Sequence, residues 1–450
     1  MSTPPDCNKQ EGLYRNSDFI KFWSGQSISL VGSQVTELAL PLTAAITLQA
    51  TAMQMGVLLA IQYAPFLLFG LFVGVWVDRL RRRPILIAAN LGRGLLLGLI
   101  PVAALLGVLR IGHLYALGFL MGVLTVCFDI AYQSYLPGLV GRGQLVDGNS
   151  RLQISASTAA FVGPSLGGVL VQWLTAPVAI AVDAVSFFVS AVFLCLIRRH
   201  EPEPPPVSRR GVWREMREGL RLVISNPIML AIVAGTATSN FFINLQISVR
   251  LLYVTRDLRL SPAMLGFMFA TASLGGLVAA VFARRISRLA GIGPTLIGTQ
   301  LLVGISALAL PLAGGGYWAI IITIVASMIL WGFAMMTYDI TEISFRQFIT
   351  PDGLLGRVSA SRRFVTWGAA LPGALLGGVL GGALGLRTTL FIGGGGVVCS
   401  ALWTIFSPTR NLRHATAGMA AAEAPAAAPP AQVRLEEAAH GVKAPAARNG

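Results

Sequence analysis

Long apolar runs alternate with short polar connections along almost the whole chain. An α-helix needs roughly 20 mostly apolar residues to cross a bilayer. Runs of that kind fall at 19–45, 54–77, 84–109, 114–137, 152–174, 177–197, 227–253, 262–283, 292–313, 317–345, 364–386 and 387–406. The pattern predicts an all-α membrane protein with twelve transmembrane helices in two six-helix bundles. Gly and Pro inside the runs do not oppose this, because neighbouring helices satisfy the backbone groups they free. The segment through Asn16 is polar and does not read as a cleavable signal. The run from Phe19 is therefore expected to be an uncleaved first helix.

Composition agrees with that picture. Of 450 residues 54% are hydrophobic and only 12% charged, about half the charge of an ordinary soluble chain. The net charge of +15 does not point to nucleic acid, which calls for Lys/Arg clustered with stacking aromatics on a water-facing surface. Here the Arg groups sit between apolar runs. With the N-terminus, the even-numbered connections and the C-terminus on one side, that side holds 28 of the 34 Lys/Arg. Arg110, Arg256, Arg259 and Arg387 fall on the other side, and Arg93 and Arg250 lie within spans. The positive-inside rule then puts both termini in the cytoplasm of a multi-pass protein of the cell membrane. Cys7, Cys127, Cys195 and Cys399 are far apart, so no disulfide framework, metal site or cofactor is expected from them.

The expected organisation is a cytoplasmic N-terminus (1–18), a six-helix bundle (19–197), a cytoplasmic linker (198–226), a second bundle (227–406) and an Ala/Pro-rich, disordered tail (407–450). The linker begins RRHEPEPPP and continues VWREMREGLRLVI. There Trp213, Met216, Leu220 and Val223 share one helical face, as in an amphipathic helix on the inner leaflet. The halves repeat each other. GLFVGVWVDRL (70–80) aligns with GLVAAVFARRI (276–286) at an offset of 206; Phe128-Asp129-Ile130 with Tyr338-Asp339-Ile340, and GGVL (167–170) with GGVL (377–380), at 210. Six helices per unit make the repeats parallel, with a binding site expected between them near the midplane.

GVWVDRLRRRP (74–84) has the arrangement G-x-x-x-D-R-x-x-R-R between the second and third spans. Here the chain resembles the major facilitator superfamily. The resemblance implies that Gly74, Asp78, Arg79 and Arg82 latch the cytoplasmic side. It pairs Asp129 with Arg79 or Arg82, and Asp339 with Arg285 or Arg288, as a cytoplasmic gate. Arg284 stands where the second half should carry the loop acid, so the latch is expected to be one-sided. GPSLGG in the fifth span (Gly163, Pro164, Gly167, Gly168) is similar to the Gly-Pro motif of superfamily antiporters. SFRQFITPDGLLGRVSASRRF (344–364), VDGNSRLQ and VDAVSFFVSA resemble the drug:proton antiporter branch that contains macrolide efflux proteins and the enterobactin exporter. That resemblance implies proton-driven export of a bulky amphipathic drug, metabolite or siderophore, by a protein expected to act as a monomer.

The first span is unusually polar, with Gln34 and Glu37 among its cavity candidates. Glu37 is the acid least explained by the gate. It is a candidate for carrying coupling protons or meeting cationic substrate, against a merely lumen-facing or outer-gate acid. Asn240 and Asn244 share a face of the seventh span, and Glu342 in the tenth is a further candidate for coupling. Asp183 is expected to make a structural hydrogen bond. Competing readings are an uptake facilitator or lysophospholipid flippase of the same fold, or a non-transporting membrane sensor or assembly factor. No hydrolase constellation stands out and no G-x-x-x-x-G-K-[ST] is present, so neither an enzyme nor an ATP-driven pump is expected.

The charge asymmetry yields a topological prediction. Reporter fusions after Arg83, after Arg210 and at the C-terminus should read cytoplasmic, and one near Leu48 external. An external reading at Arg210 would break the six-plus-six architecture.

Overall fold

The computed structural model describes residues 16–77, 80–140, 144–198, 201, 212–350 and 354–412. The first half contains α1 (Ser17–Leu42), α2 (Ala52–Val77), α3 (Arg82–Leu105), α4 (Ile111–Val140), α5 (Leu145–Leu174) and α6 (Ala176–Cys195). After the linker helix α7 (Val212–Ser225) come α8 (Pro227–Leu252), α9 (Pro262–Ala290), α10 (Ile292–Leu312), α11 (Tyr317–Ile349), α12 (Leu355–Ala383), α13 (Leu386–Ser400) and the short α14 (Leu402–Ile405). Twelve helical segments among the described residues are long and apolar enough to cross a membrane, α13 and α14 together forming the last. Both bundles start on an Asn cap: Asn16 accepts from the Phe19 amide, and Asn226 from those of Ile228 and Met229. Each cap satisfies donors that the first helical turn leaves unpaired. Exposed Trp173, Tyr317 and Trp318 lie at span ends on one face, and Trp403 and Phe406 at the other, as in the aromatic belts of membrane proteins.

Helix neighbours repeat between the halves. α1 packs on α5 and α6 as α8 does on α12 and α13; α3 packs on α4 and α6 as α10 does on α11 and α13. The backbone repeats with a single offset of 210. Wide π-type turns occur at Thr43–Thr47 and Tyr253–Asp257. Gln49 and Arg259 both have positive φ (51° and 52°), as do Thr175 and Gly385 (84° and 87°). The offset of 206 expected around the second and eighth spans is therefore corrected. Residues 56 and 266, before that region, and the start of α3 and α10 after it all keep 210, so Arg288 rather than Arg284 is the counterpart of Asp78.

The halves meet along α5–α9 and α2–α12. At each crossing two glycines lie backbone to backbone. A methyl group on Gly266 would lie 2.2 Å from the Pro164 carbonyl oxygen, and one on Gly56 would lie 2.6 Å from that of Ala374. Gly168 and Gly378 complete the two pairs. Both crossings sit near the face opposite α7, the far face. There one apolar core crosses between the halves, joining Leu38, Ala45 and Met55 to Leu252, Leu260 and Met268. Arg256 Nη2 adds a hydrogen bond to the Ala50 carbonyl (2.8 Å) across the same junction. Toward α7, the linker face, the cores are separate: Phe19, Phe128 and Leu136 in one half, Ile232, Leu296 and Phe345 in the other. The protein is closed at the far face and parted at the linker face.

α7 belongs to the second bundle. It rests on α12 and α8, burying Val223 among Met229, Val233 and Val358. Of the expected apolar face, Val223 turns inward while Leu220 stays 37% exposed. The other end of the linker is fixed to the first bundle. Glu201 accepts the backbone N–H groups of Arg82 (2.7 Å) and Arg83 (3.0 Å) at the start of α3, where a helix dipole favours an anion.

A bulky side chain at a glycine crossing should disfavour the far-face closure. Gly266→Leu should insert normally but shift the state balance, since overpacking costs about 1–3 kcal/mol. The readout is the reactivity of Leu260→Cys, buried in the far-face core, toward an impermeant maleimide in an otherwise cysteine-free protein. It should rise in Gly266→Leu, and unchanged reactivity would remove the crossing's role in closure.

Candidate transport cavity

The polar positions of α8 open onto a cavity of about 300 Å³. Asn240 and Asn244, which share a helical face, both line it. Each uses its amide N–H to reach a carbonyl one turn back, Thr236 (3.1 Å) and Asn240 (2.9 Å). The Oδ1 of Asn244 is buried without a hydrogen-bond partner, an acceptor that a bound molecule or water would satisfy. Deeper in the wall, Gln300 Nε2 reaches the Tyr338 hydroxyl (3.5 Å), which lies 2.8 Å from Thr236 Oγ1. α12 supplies Trp367, whose ring sits edge-on to Tyr63 of α2 (5.6 Å) and close to Phe66 (4.9 Å). The cavity is thus built largely by the second half and roofed by aromatics from both.

On the first half, Gln34 Nε2 donates to Glu37 Oε2 at 2.9 Å. Glu37 is exposed although it lies within a membrane span, and no cation lies within 4 Å of it among the described residues. Its charge is felt by Tyr63, which also lies in the field of Arg250. The Arg250 guanidinium lies 5.1 Å from the Phe269 ring centroid, a cation–π partner that sequence could not supply. The small residues of α5 shape this region. A methyl on Gly163 would lie 2.3 Å from Gln34 Cβ, and one on Gly167 would lie 3.2 Å from Val35 Cα. Gly163 and Gly167 bring α1 close, while Pro164 and Gly168 face α9.

The expected gate is arranged differently. Asp78 and Arg79 lie outside the described residues, and Gly74 lies in the last turns of α2. Arg82 does not pair with Asp129; its guanidinium lies 3.6 Å from Glu201, the acid that caps its own helix. Asp129 instead feels Arg93 of α3 and Arg363 of α12. Arg285 and Arg288 are exposed and neither forms an ion pair with Asp339, which lies instead in the field of Arg362 of α12. Asp339 itself opens onto the cavity. Glu342 is 1% exposed and held by two cations, Arg346 at 3.0 Å and Arg362 at 3.7 Å. Arg346 also donates to Ser359 (2.6 Å), tying α11 to α12. Asp183 accepts from the Ser186 hydroxyl (2.9 Å) beside Gly32 of α1.

Tyr63, Tyr338, Arg362, Trp367 and Glu201 were not expected at these places. The only sequence signal for Arg362 was its place in the SASRRF segment, and a lone aromatic in an apolar run carries no signal at all.

The fold matches solved transporters. A bacterial homologue of the iron transporter ferroportin, in its inward-facing state, superposes with a TM-score of 0.71 at 17% identity, covering 88% of this chain and 99% of that one. A bacterial ferroportin homologue in the outward-facing state gives 0.56 at 15% identity, covering 86% and 98%. A point mutant of the nucleoside transporter NupG gives 0.69 at 14% identity, with 88% and 99% covered. In sequence, the enterobactin exporter EntS of Escherichia coli is 26% identical over 322 residues, 68% of this chain and 73% of the exporter. The family profile described as Major Facilitator Superfamily matches residues 22–371, and the chain belongs to that superfamily of membrane transporters.

Proposed function

We propose that this transporter is a secondary exporter that moves a bulky amphipathic small molecule out of the cytoplasm in exchange for protons. The observation that carries the reading is Glu37, an accessible carboxylate within a span, free of any cation within 4 Å among the described residues. Acids inside a membrane are costly and tend to mark ion or substrate pathways. Placed next to Gln34 and close enough to Tyr63 to act on it, Glu37 binds and releases a proton as the molecule alternates. The Lys/Arg distribution sets the linker face in the cytoplasm of a cell-membrane protein, so the state described loads from inside. The resemblance to an exporter and the Gly-Pro motif of α5 favour outward transport. In the alternate state the linker face closes, with Asp78, Arg79 and Asp129 contributing to the latch. The protein acts as a monomer.

Transport by Glu37→Gln separates coupling from binding. The substitution keeps the shape of the protonated acid. Exchange down a substrate gradient should persist, while uphill export should fall to the level that a protonophore leaves in the wild type. Glu37→Asp should retain part of the uphill activity. Proton-sensitive concentration of substrate by Glu37→Gln would move coupling to another acid, and import in energised vesicles would reverse the direction.

A further inference from the structure

The first half contains a charged counterpart of part of the cavity wall in the second. At the offset of 210, the lining residues Gln300, Val303, Tyr338 and Asp339 correspond to Asn90, Arg93, Phe128 and Asp129. The register holds at both helices concerned. A methyl on Gly94 would lie 3.0 Å from Phe188, and one on Gly304 would lie 2.6 Å from Val398, the residue equivalent to Phe188. Gly122 and Gly332 likewise abut the carbonyls of Gln62 and Ala272, again 210 apart.

In the first half a guanidinium fills the space. Arg93 is 5% exposed, with Cζ 4.0 Å from the Phe128 ring centroid and 4.3 Å from that of Phe187. It donates to Asn90 Oδ1, and Asn90 in turn donates to Ser190 (3.0 Å). A buried cation is tolerated here because two π-faces and an amide oxygen replace its water. In the second half Val303 takes the place of Arg93, and Val397 that of Phe187. The surrounding chemistry remains: an amide, an aromatic ring and a carboxylate around an open cavity. Asp339 is exposed to that cavity and forms no ion pair within 4 Å among the described residues. Of the two guanidinium groups at the wall, Arg362 lies 3.7 Å from Glu342 and is shared between that acid and the field of Asp339, and Arg363 acts on Asp129 of the opposite half.

We infer that the cavity receives a cationic group of the transported molecule, an ammonium or guanidinium, with Asp339 as its counter-charge and Tyr338 and Gln300 replacing its water. Trp367 and Tyr63 supply apolar surface for the rest of the molecule. The inference rests on reading this cavity as the substrate site, but not on the direction of transport or on proton coupling.

The test is equilibrium binding to the full-length protein in lipid nanodiscs, with tetraphenylphosphonium and tetraphenylborate as probes. They place four phenyl rings around a single charged centre of opposite sign. Tetraphenylphosphonium should bind saturably and should not be displaced by tetraphenylborate. Asp339→Asn should weaken it ~10-fold or more through loss of the counter-charge, while Asp339→Glu should stay close to the wild type. Equal or tighter binding of the anion, no saturable binding of the cation, or an unchanged affinity in Asp339→Asn would each overturn the inference. A failure of uphill export in Glu37→Gln or of the export direction leaves this measurement untouched, so the two readings fail separately.

Discussion

The arrangement depends on two places where backbone meets backbone without intervening side chains. Between helices in lipid there is little hydrophobic drive to associate, so close contact of small residues must supply the attraction. Gly168 against Gly266 and Gly378 against Gly56 do this at symmetry-related points near one face. Because both contacts are at the same end, the other ends of the bundles are free to part, and the cavity lies in the wedge they leave. The same stretch of α5 also holds α1 through Gly163 and Gly167. One short segment thus sets the junction between the halves and the approach of the helix that carries Gln34 and Glu37.

Charge inside the spans is sparse, and most of it is answered locally. Arg93 lies between two rings, Arg250 beside a third, and Glu342 between two guanidinium groups. Glu37 and Asp339 are exposed carboxylates within the spans that form no ion pair within 4 Å among the described residues, one on each half. A carboxylate held between two arginines is poorly suited to exchange partners, since removing one partner strands a buried charge. An accessible acid without an ion pair has no such obstacle.

The twelve spans and the duplication were legible because each rests on a pattern repeated many times: apolar length, and identical residues at a nearly fixed spacing. The position of Asn240 and Asn244 on the cavity was legible because a helix fixes the relation between residues four apart. Partnership between helices was less legible. Of the two arginines expected beside Asp129, Arg79 lies outside the described residues and Arg82 sits on Glu201, an acid more than a hundred residues away that is drawn to the start of α3 by its free amides. Asp339 is expected beside Arg285 or Arg288 of α9, while in this state Arg362 of α12 acts on it. The shift from 206 to 210 arose because small apolar residues match one another at several registers, whereas the positive-φ residues at 49 and 259 do so at one.

The linker is fastened at both ends, by Glu201 to the first bundle and by Val223 to the second. Eleven residue steps separate Glu201 from the first residue of α7, and a fully extended chain covers roughly 3.6 Å per step. The connection is therefore a leash of at most about 40 Å. It sets an upper bound on how far the two attachment points can separate, independent of any contact in the cavity. Shortening it would restrict the stroke of the machine before it altered what the machine binds.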